Sequence, residues 1–235
     1  MKPHSDTIKK AMLLAAGFGV RLKPLTDSIP KPLIPISGKS VIEYNIELLK
    51  NAGVNEIVIN LHHLGKSIKE YIGSGRKFGV KVTYSEEPKI LGTGGGIKKA
   101  AKYFKDGPFF VVNSDVLINL DLNKISAYHF KKNGAATMVV RKMAVGENYA
   151  KLDIVPGGKL RGFGNGRYMF TGVQVLDPII FKYLKTPSCL IESGYKQLLS
   201  HKLAVYAYIH HGYWNDIGTP ERLKAAMKRF DRLTR

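Results

Sequence analysis

The residues Gly17-Phe18-Gly19-Val20-Arg21 form the first stretch of the chain whose types and spacing could do chemistry. Its two glycines let the main chain come close to a ligand, and amides exposed in such a loop attract anions. Arg21 can grip a polyphosphate bidentately, and Lys31, further along the same loop, can act on it as a point charge. The loop is not the dinucleotide fingerprint, because Leu22 stands where a third glycine is needed. It is not a P-loop either, because no Gly-Lys-Ser/Thr follows. A second glycine-rich stretch, GTGGGIKK from Gly92 to Lys99, opens a helical pattern, and glycines there again permit close approach to a ligand. Gly94, Gly95 and Gly96 within one apparent first turn carry an entropic cost. On spacing alone, a long surface loop with ordinary cations and a plain flexible turn stand beside these readings.

Both stretches follow elements that would aim them at a common point. The apolar run Lys10 to Ala16 reads as a buried strand feeding the Gly17–Gly38 loop. Its apolar part is barely long enough for the core of a secretory signal and ends in Gly17, Gly19 and Arg21, so the strand is the expected reading. Ser40 with Glu43 makes a capping box for a helix over 40–52, with Gly53 closing it. Strands are expected at 56–61, 80–85 and 108–113, and helices at 63–72 and 94–104. The continuous apolar run PFFVVN predicts a strand covered on both faces. Strand–helix alternation of this kind predicts a doubly wound, mostly parallel sheet, whose ligands bind beyond the carboxyl ends of the strands. The second half reads differently. Strands are expected at 135–141, 149–155, 159–162 and 168–176, helical patterns at 178–184 and 190–201, and a last helix from Thr219 with Pro220 at its first position. The expected organisation is one domain over 1–235, with a nucleotide-binding half at about 8–120 and a mixed half at about 121–235.

Composition narrows the classes. The 235 residues carry 37 Lys and Arg against 18 Asp and Glu, a net charge of +19. The basic residues are spread evenly, with no block of like charge and no basic stripe interleaved with aromatics. That argues against nucleic acid as partner and for a field that attracts small anions. A single cysteine, Cys189, excludes a disulfide scaffold and a multi-cysteine zinc site, and fits a cytoplasmic setting. No segment is apolar and long enough to span a bilayer. The paired histidines His62-His63 and His210-His211 are expected in packing or surface roles.

The loop 17–33 resembles the signature of sugar-1-phosphate nucleotidyltransferases, G-x-G-x-R-L-x-P-L-T followed by P-K-P-L. Gly17, Gly19, Arg21, Leu22, Pro24, Leu25, Thr26, Pro30, Lys31, Pro32 and Leu33 all match. The resemblance continues through ILGTGGGI, FFVVNSD and YWNDIGTPERL. It implies a three-layer Rossmann-like α/β fold with a mixed, mostly parallel sheet. It further implies nucleotidyl transfer from an NTP to a sugar 1-phosphate, with release of pyrophosphate. Ala15, Ala16, Gly17 and Gly19 would meet the nucleotide through main chain, with Gly92, Thr93 and Asn113 also at the nucleotide. Arg21 would hold the departing β- and γ-phosphates, and Lys31 would offset charge growing at the α-phosphorus. Asp115 and Asp216 would share Mg²⁺. By spacing alone either aspartate could be a turn or cap residue. Tyr149, Arg167 and Gly172 would contact the sugar phosphate.

The chemistry agrees with that assignment. A sugar phosphate has a second pKa of about 6, is dianionic at neutral pH, and needs no general base. Glu87 falls where a side chain would read the base edge. A carboxylate only accepts hydrogen bonds and suits guanine, which presents two adjacent donors, better than uracil. This inclines the reading to GTP and a mannose-type hexose, while the compact length and triple glycine resemble the uridylyl-transferring muramate branch. Several positions depart from the pattern. Val20, Ser114 and Ala150 replace commoner residues. A Glu-Lys-Pro motif that grips the sugar phosphate in many relatives is absent, GFGNGRYMF standing in its stretch, and Arg167 is the expected replacement cation. A non-catalytic nucleotide or sugar-phosphate sensor is the rival of another class, and loss of Lys31 or of either aspartate would mark it.

Overall fold

A computed structural model describes residues 7–233. Its strands are β1 (Lys10–Leu14), β2 (Pro35–Ile36), β3 (Lys39–Ser40), β4 (Glu56–Leu61), β5 (Lys81–Glu86), β6 (Phe109–Asn113), β7 (Val116–Ile118), β8 (Ala136–Lys142), β9 (Lys151–Ile154), β10 (Leu160–Phe163), β11 (Tyr168–Leu176), β12 (Val205–Ile209) and β13 (Trp214–Asp216). Its helices are α1 (Leu25–Ser28), α2 (Val41–Asn51), α3 (Gly65–Ile72), α4 (Gly92–Lys99), α5 (Leu122–Lys132), α6 (Lys196–Ser200) and α7 (Pro220–Leu233).

The main sheet runs β5-β4-β1-β6-β11-β8-β12. β1 pairs in parallel with β4 and β6, β4 with β5, and β8 with β12, while β11 runs antiparallel to both its neighbours. β9 adds to the start of β11 and β10 to β9. The apolar runs sit in the middle because both faces are covered. Successive residues of β1 and β6 point to opposite faces. Ala11, Leu13, Phe110 and Val112 pack with Ile42 and Ile46 of α2, Ile68 of α3 and Ile125 of α5. Met12, Phe109 and Val111 pack with Ile97 of α4 and with Tyr195 and Leu198 at α6. The expected three layers follow directly from this period-2 alternation.

The Ser40–Glu43 capping box is formed, and Gly53 adopts φ +81 just past α2. α3 begins at Gly65 rather than His63 because Leu64 takes a left-handed conformation before it. The expected helix at 178–184 is a 3₁₀ turn over Pro178–Lys182. The short elements α1, β2, β3, β7 and β13 lie outside the sequence expectation, and so do the longer α5 and β12. The buried stripe of α5 is Leu122, Ile125, Ser126 and His129, half of it polar, so its apolar periodicity is weak. The buried His129 is satisfied by Thr137 Oγ1 at 2.9 Å from Nδ1. A third, smaller cluster joins Leu22 and Ile34 of the signature loop to Val41, Leu117, Ile217 and Leu223, so α7 holds the loop against β7 and β13. Among the described residues no helix is long and apolar enough to cross a membrane.

Candidate active site

The carboxyl ends of β1, β4 and β6 open into a cleft of about 320 Å³. Ala15, Ala16, Gly17, Gly19, Arg21, Lys31, Glu87, Gly92, Thr93, Asn113 and Asp115 all line it, so the expected nucleotide residues from four separate segments converge. The joints between these segments are local and specific. Ser114 donates from Oγ to the Leu14 carbonyl at 2.6 Å and ties β6 to β1. Gly19 has φ +64, and a Cβ there would lie 2.9 Å from Thr26 Cγ2. Thr26 in turn donates to the Gly19 carbonyl at 2.9 Å. Only glycine fits that turn, which places Arg21 at the cleft mouth. His62 Nδ1 lies 2.7 Å from the Glu87 carbonyl and His63 Nε2 3.1 Å from the Thr26 carbonyl, and Phe18 packs on both rings. The first histidine pair therefore braces the loop, as a packing role requires.

Asn60 was not among the expected site residues. It is buried at the end of β4, where Oδ1 accepts from the Ala15 amide at 2.9 Å and Nδ2 donates to Glu87 Oε1 at 2.7 Å. A lone Asn in the apolar run EIVINL is the signal that could have found it, since a buried amide needs partners. Two expectations change in consequence. The Ala15 N–H is already donated to Asn60, so Ala15 can meet a nucleotide through its carbonyl or its Cβ but not through that amide. Glu87 is 3% exposed, and its other oxygen accepts from the Leu91 amide at 3.0 Å. Its carboxylate is turned into the protein to hold Asn60 and the entry to α4, not presented as a free base-reading edge.

The triple glycine is likewise explained by protein neighbours. A Cβ on Gly94 would lie 2.6 Å from Ser188 Oγ, and one on Gly96 would lie 2.7 Å from Glu87 Oε1. The Gly94 and Gly95 amides donate to the Ser188 carbonyl at 2.9 and 3.2 Å. Gly92, at φ +72, packs against the same carbonyl, and Thr93 Oγ1 accepts from the Leu190 amide at 2.9 Å. The close approach is to the 187–190 loop. Only Gly92 and Thr93 of this stretch reach the cleft.

The charges divide into two groups. Lys31 Nζ pairs with Asp115 Oδ2 inside the cleft, both side chains largely buried. Asp216 lies on β13 beside β7, and the Ile217 amide donates to the Asp115 carbonyl at 3.0 Å, so the main chains of the two aspartates are adjacent. Asp216 does not line the cleft. Oδ1 accepts from the Gly218 amide at 2.8 Å and from Arg222 Nη1 at 2.7 Å, while Oδ2 accepts from Arg222 Nη1 and from the Tyr149 hydroxyl, each at 2.9 Å. Burial alone would raise its pKa. The Arg222 pair, the Gly218 amide and Tyr149 outweigh burial and hold it below the usual aspartate range. Burial, and after it the hydrogen bond to Asp216, push the Tyr149 hydroxyl well up.

These contacts test the expected cation site. No group of three or more His, Cys, Asp or Glu side chains able to hold a metal gathers among the described residues. Asp115 fits one carboxylate position of a Mg²⁺ ion completed by phosphates and water. Asp216 does not fit the second, because its acceptor positions are filled by protein donors. The sugar-side expectations also divide. Tyr149 lies against Asp216. Gly172, at φ +87, is required where a Cβ would fall 3.0 Å from Asn113 Nδ2, so it shapes the cleft floor. Arg167 is exposed on the turn before β11 and is not among the residues that line this cleft.

The sequence profile of the family described as "Nucleotidyl transferase" matches residues 10–232. The chain belongs to that family. Among nucleotidyl transferases it is 35% identical over 223 residues to the N-acetylmuramate alpha-1-phosphate uridylyltransferase of Neisseria meningitidis, covering 92% of this chain and 96% of that protein. It is 33% identical to the UTP--glucose-1-phosphate uridylyltransferase of Synechocystis over 89% of this chain and 60% of that one. It is 30% identical to the mannose-1-phosphate guanyltransferase of Eremothecium gossypii over 90% and 62%. The chain thus spans about three-fifths of the length of the latter two relatives. The solved structure of HddC from Yersinia pseudotuberculosis complexed with GMP-PN superposes with a TM-score of 0.82 at 26% identity, over 95% of this chain and all of that one. The mixed α/β fold of this nucleotidyl transferase is the one the signature loop implies.

Proposed function

We propose that this nucleotidyl transferase joins the nucleotidyl group of an NTP to a sugar 1-phosphate and releases pyrophosphate. The observation that carries the reading is the cleft itself, where the glycine loop, Arg21 and the Lys31–Asp115 pair meet at the ends of β1 and β6. A phosphate oxygen of the acceptor forms the new bond to the α-phosphorus, and the bond to the β-phosphate oxygen breaks in line. The acceptor enters as a dianion, so no side chain has to take a proton. Arg21 receives the departing diphosphate, and Lys31 offsets charge at the α-phosphate. Such transfer depends on positioning and charge neutralisation. A divalent cation would supply further neutralisation from Asp115, and no step is assigned to Asp216 through it.

UTP is the proposed donor. The case for guanine rested on a free Glu87 carboxylate, and that carboxylate is engaged by Asn60 and the Leu91 amide. The near full-length correspondence with the Neisseria uridylyltransferase supports the same choice and a hexose 1-phosphate of that type as acceptor. The test is pyrophosphate release with UTP, GTP, ATP and dTTP against a panel of sugar 1-phosphates in Mg²⁺. UTP with at least one hexose 1-phosphate should react well above background. Release with GTP and mannose 1-phosphate alone would restore the guanylyl reading, and no release from any pair would leave a non-catalytic binder.

A further inference from the structure

Behind Asp216 lies a second cavity of about 380 Å³, between Arg141 at the end of β8, Glu147 and Tyr149 on the β8–β9 connection, Trp214 on β13 and Arg222 on α7. Its wall toward the nucleotide cleft is thin. Gly218 lines the cleft, and a Cβ on Gly218 would lie 2.5 Å from Asp216 Oδ1, 3.0 Å from Arg21 Nη2 and 3.3 Å from Arg222 Nη1. We propose that this cavity is a subsite for an acidic group on the acceptor sugar, gripped by Arg141, and that the Glu147 carboxylate occupies that group's place in the free protein. The proposal rests on the sugar 1-phosphate reading above.

Two guanidinium groups lie on aromatic faces here. Arg141 sits 4.6 Å from the centroid of Trp214 and Arg222 4.8 Å from that of Tyr149, while the two rings meet edge to face at 5.6 Å. Contact with a ring face restrains each guanidinium and leaves its free nitrogens to meet an anion. Arg222 spends its Nη1 on Asp216. Arg141 is met differently. Nη1 donates to the Lys142 carbonyl at 2.9 Å, Nη2 pairs with Glu147 Oε1, and Nε is buried without any partner. A carboxylate pairs bidentately with the Nε–Nη2 side of a guanidinium. Glu147 reaches only half of that side, because its other oxygen is held by the Ala144 amide at 2.7 Å. A ligand carboxylate free of that tether can satisfy both nitrogens.

Charge balance gives the selectivity its direction. Each arginine is matched by one protein carboxylate, Glu147 or Asp216. Exchanging Glu147 for a ligand carboxylate leaves the cavity's charge unchanged and sends Glu147 into water with its connection, whose Val145 is already fully exposed. A neutral sugar that displaced Glu147 would leave the largely buried Arg141 unpaired, a costly outcome for an ion removed from solvent. The acceptor class that follows is a hexose 1-phosphate carrying a carboxylate.

Trp214 is the only tryptophan in the chain and forms one wall of the cavity, so its emission reads occupancy without turnover. The probes are N-acetylmuramate 1-phosphate and N-acetylglucosamine 1-phosphate, which differ by the carboxylate-bearing ether. The acidic sugar should change the emission saturably and bind about tenfold or more tightly than the neutral one. Arg141→Gln should reduce that ratio to near one, with Arg141→Lys in between, and Glu147→Gln should tighten the acidic sugar. Equal affinity of the wild-type protein for the two sugars, or an unchanged ratio in Arg141→Gln, would overturn the subsite. Weaker acidic-sugar binding in Glu147→Gln would overturn the stand-in role. Pyrophosphate release is measured alongside. Turnover of both sugars without preference sinks this inference alone, whereas no turnover of any sugar 1-phosphate sinks the reading it rests on.

Discussion

At the ends of β1, β4 and β6 the glycine loop, Gly92 and Gly218 line part of the cleft, with Lys31 paired to Asp115 and Arg21 facing it unpaired by any carboxylate among the described residues. Across Gly218 the second cavity is lined by long side chains whose cations are already matched by Glu147 and Asp216. The first region presents a fixed turn and an unpaired guanidinium, which suit an anionic ligand. Amides and a fixed turn need little rearrangement to receive it. The second holds its charges in internal pairs, so a ligand there must exchange with a protein group.

Substitutions separate the two regions by the size and kind of their effect. Lys31→Ala should have the largest, lowering kcat about a hundredfold to a thousandfold in a pyrophosphate-release assay, as expected for a cation aimed at developing charge. A fall in KM-dependent rate alone, with kcat retained, would move Lys31 from chemistry to binding. Gly92→Ala comes next. It forces a left-handed residue against the Ser188 carbonyl and should destabilise the fold by about 1–3 kcal/mol in urea denaturation. Asn60→Ala should lose about 1–3 kcal/mol as well, since it strands the Ala15 amide and Glu87, and it should weaken UTP binding more than sugar binding.

The smallest effect concerns Asp216 and acid. Its folded-state pKa is depressed below that of the unfolded chain, so its contribution is complete above about pH 4 and is lost as pH falls through the folded value. Thermal melts of Asp216→Asn should therefore lose less stability than wild type on acidification below about pH 4. A parallel loss in both proteins would mean that the Arg222 and Tyr149 contacts do not stabilise the ionised form.

The same contrast governs what could be read in advance. The parallel half was legible because its information is local. Period-2 burial in β1 and β6, the Ser40–Glu43 cap and the glycine loop each declare themselves within a few residues, and β4 and β11 fall where the apolar runs predict. Contacts between distant segments were not legible. Glu87 and the triple glycine read as ligand-facing features, whereas Asn60 and Ser188 lie against them in the fold. The pattern of α5 was masked by Ser126 and by His129, whose buried ring is accommodated by its contact with Thr137.

Phosphorus NMR of the protein with UTP, a carboxylate-bearing hexose 1-phosphate and Mg²⁺ tests the central claim most directly. The α-phosphorus of UTP should appear in a nucleotide–sugar diphosphate, with free pyrophosphate formed in equal amount and the acceptor phosphate consumed in step. A spectrum in which UTP stays intact, or yields UDP and orthophosphate with the sugar phosphate untouched, would contradict nucleotidyl transfer at this cleft.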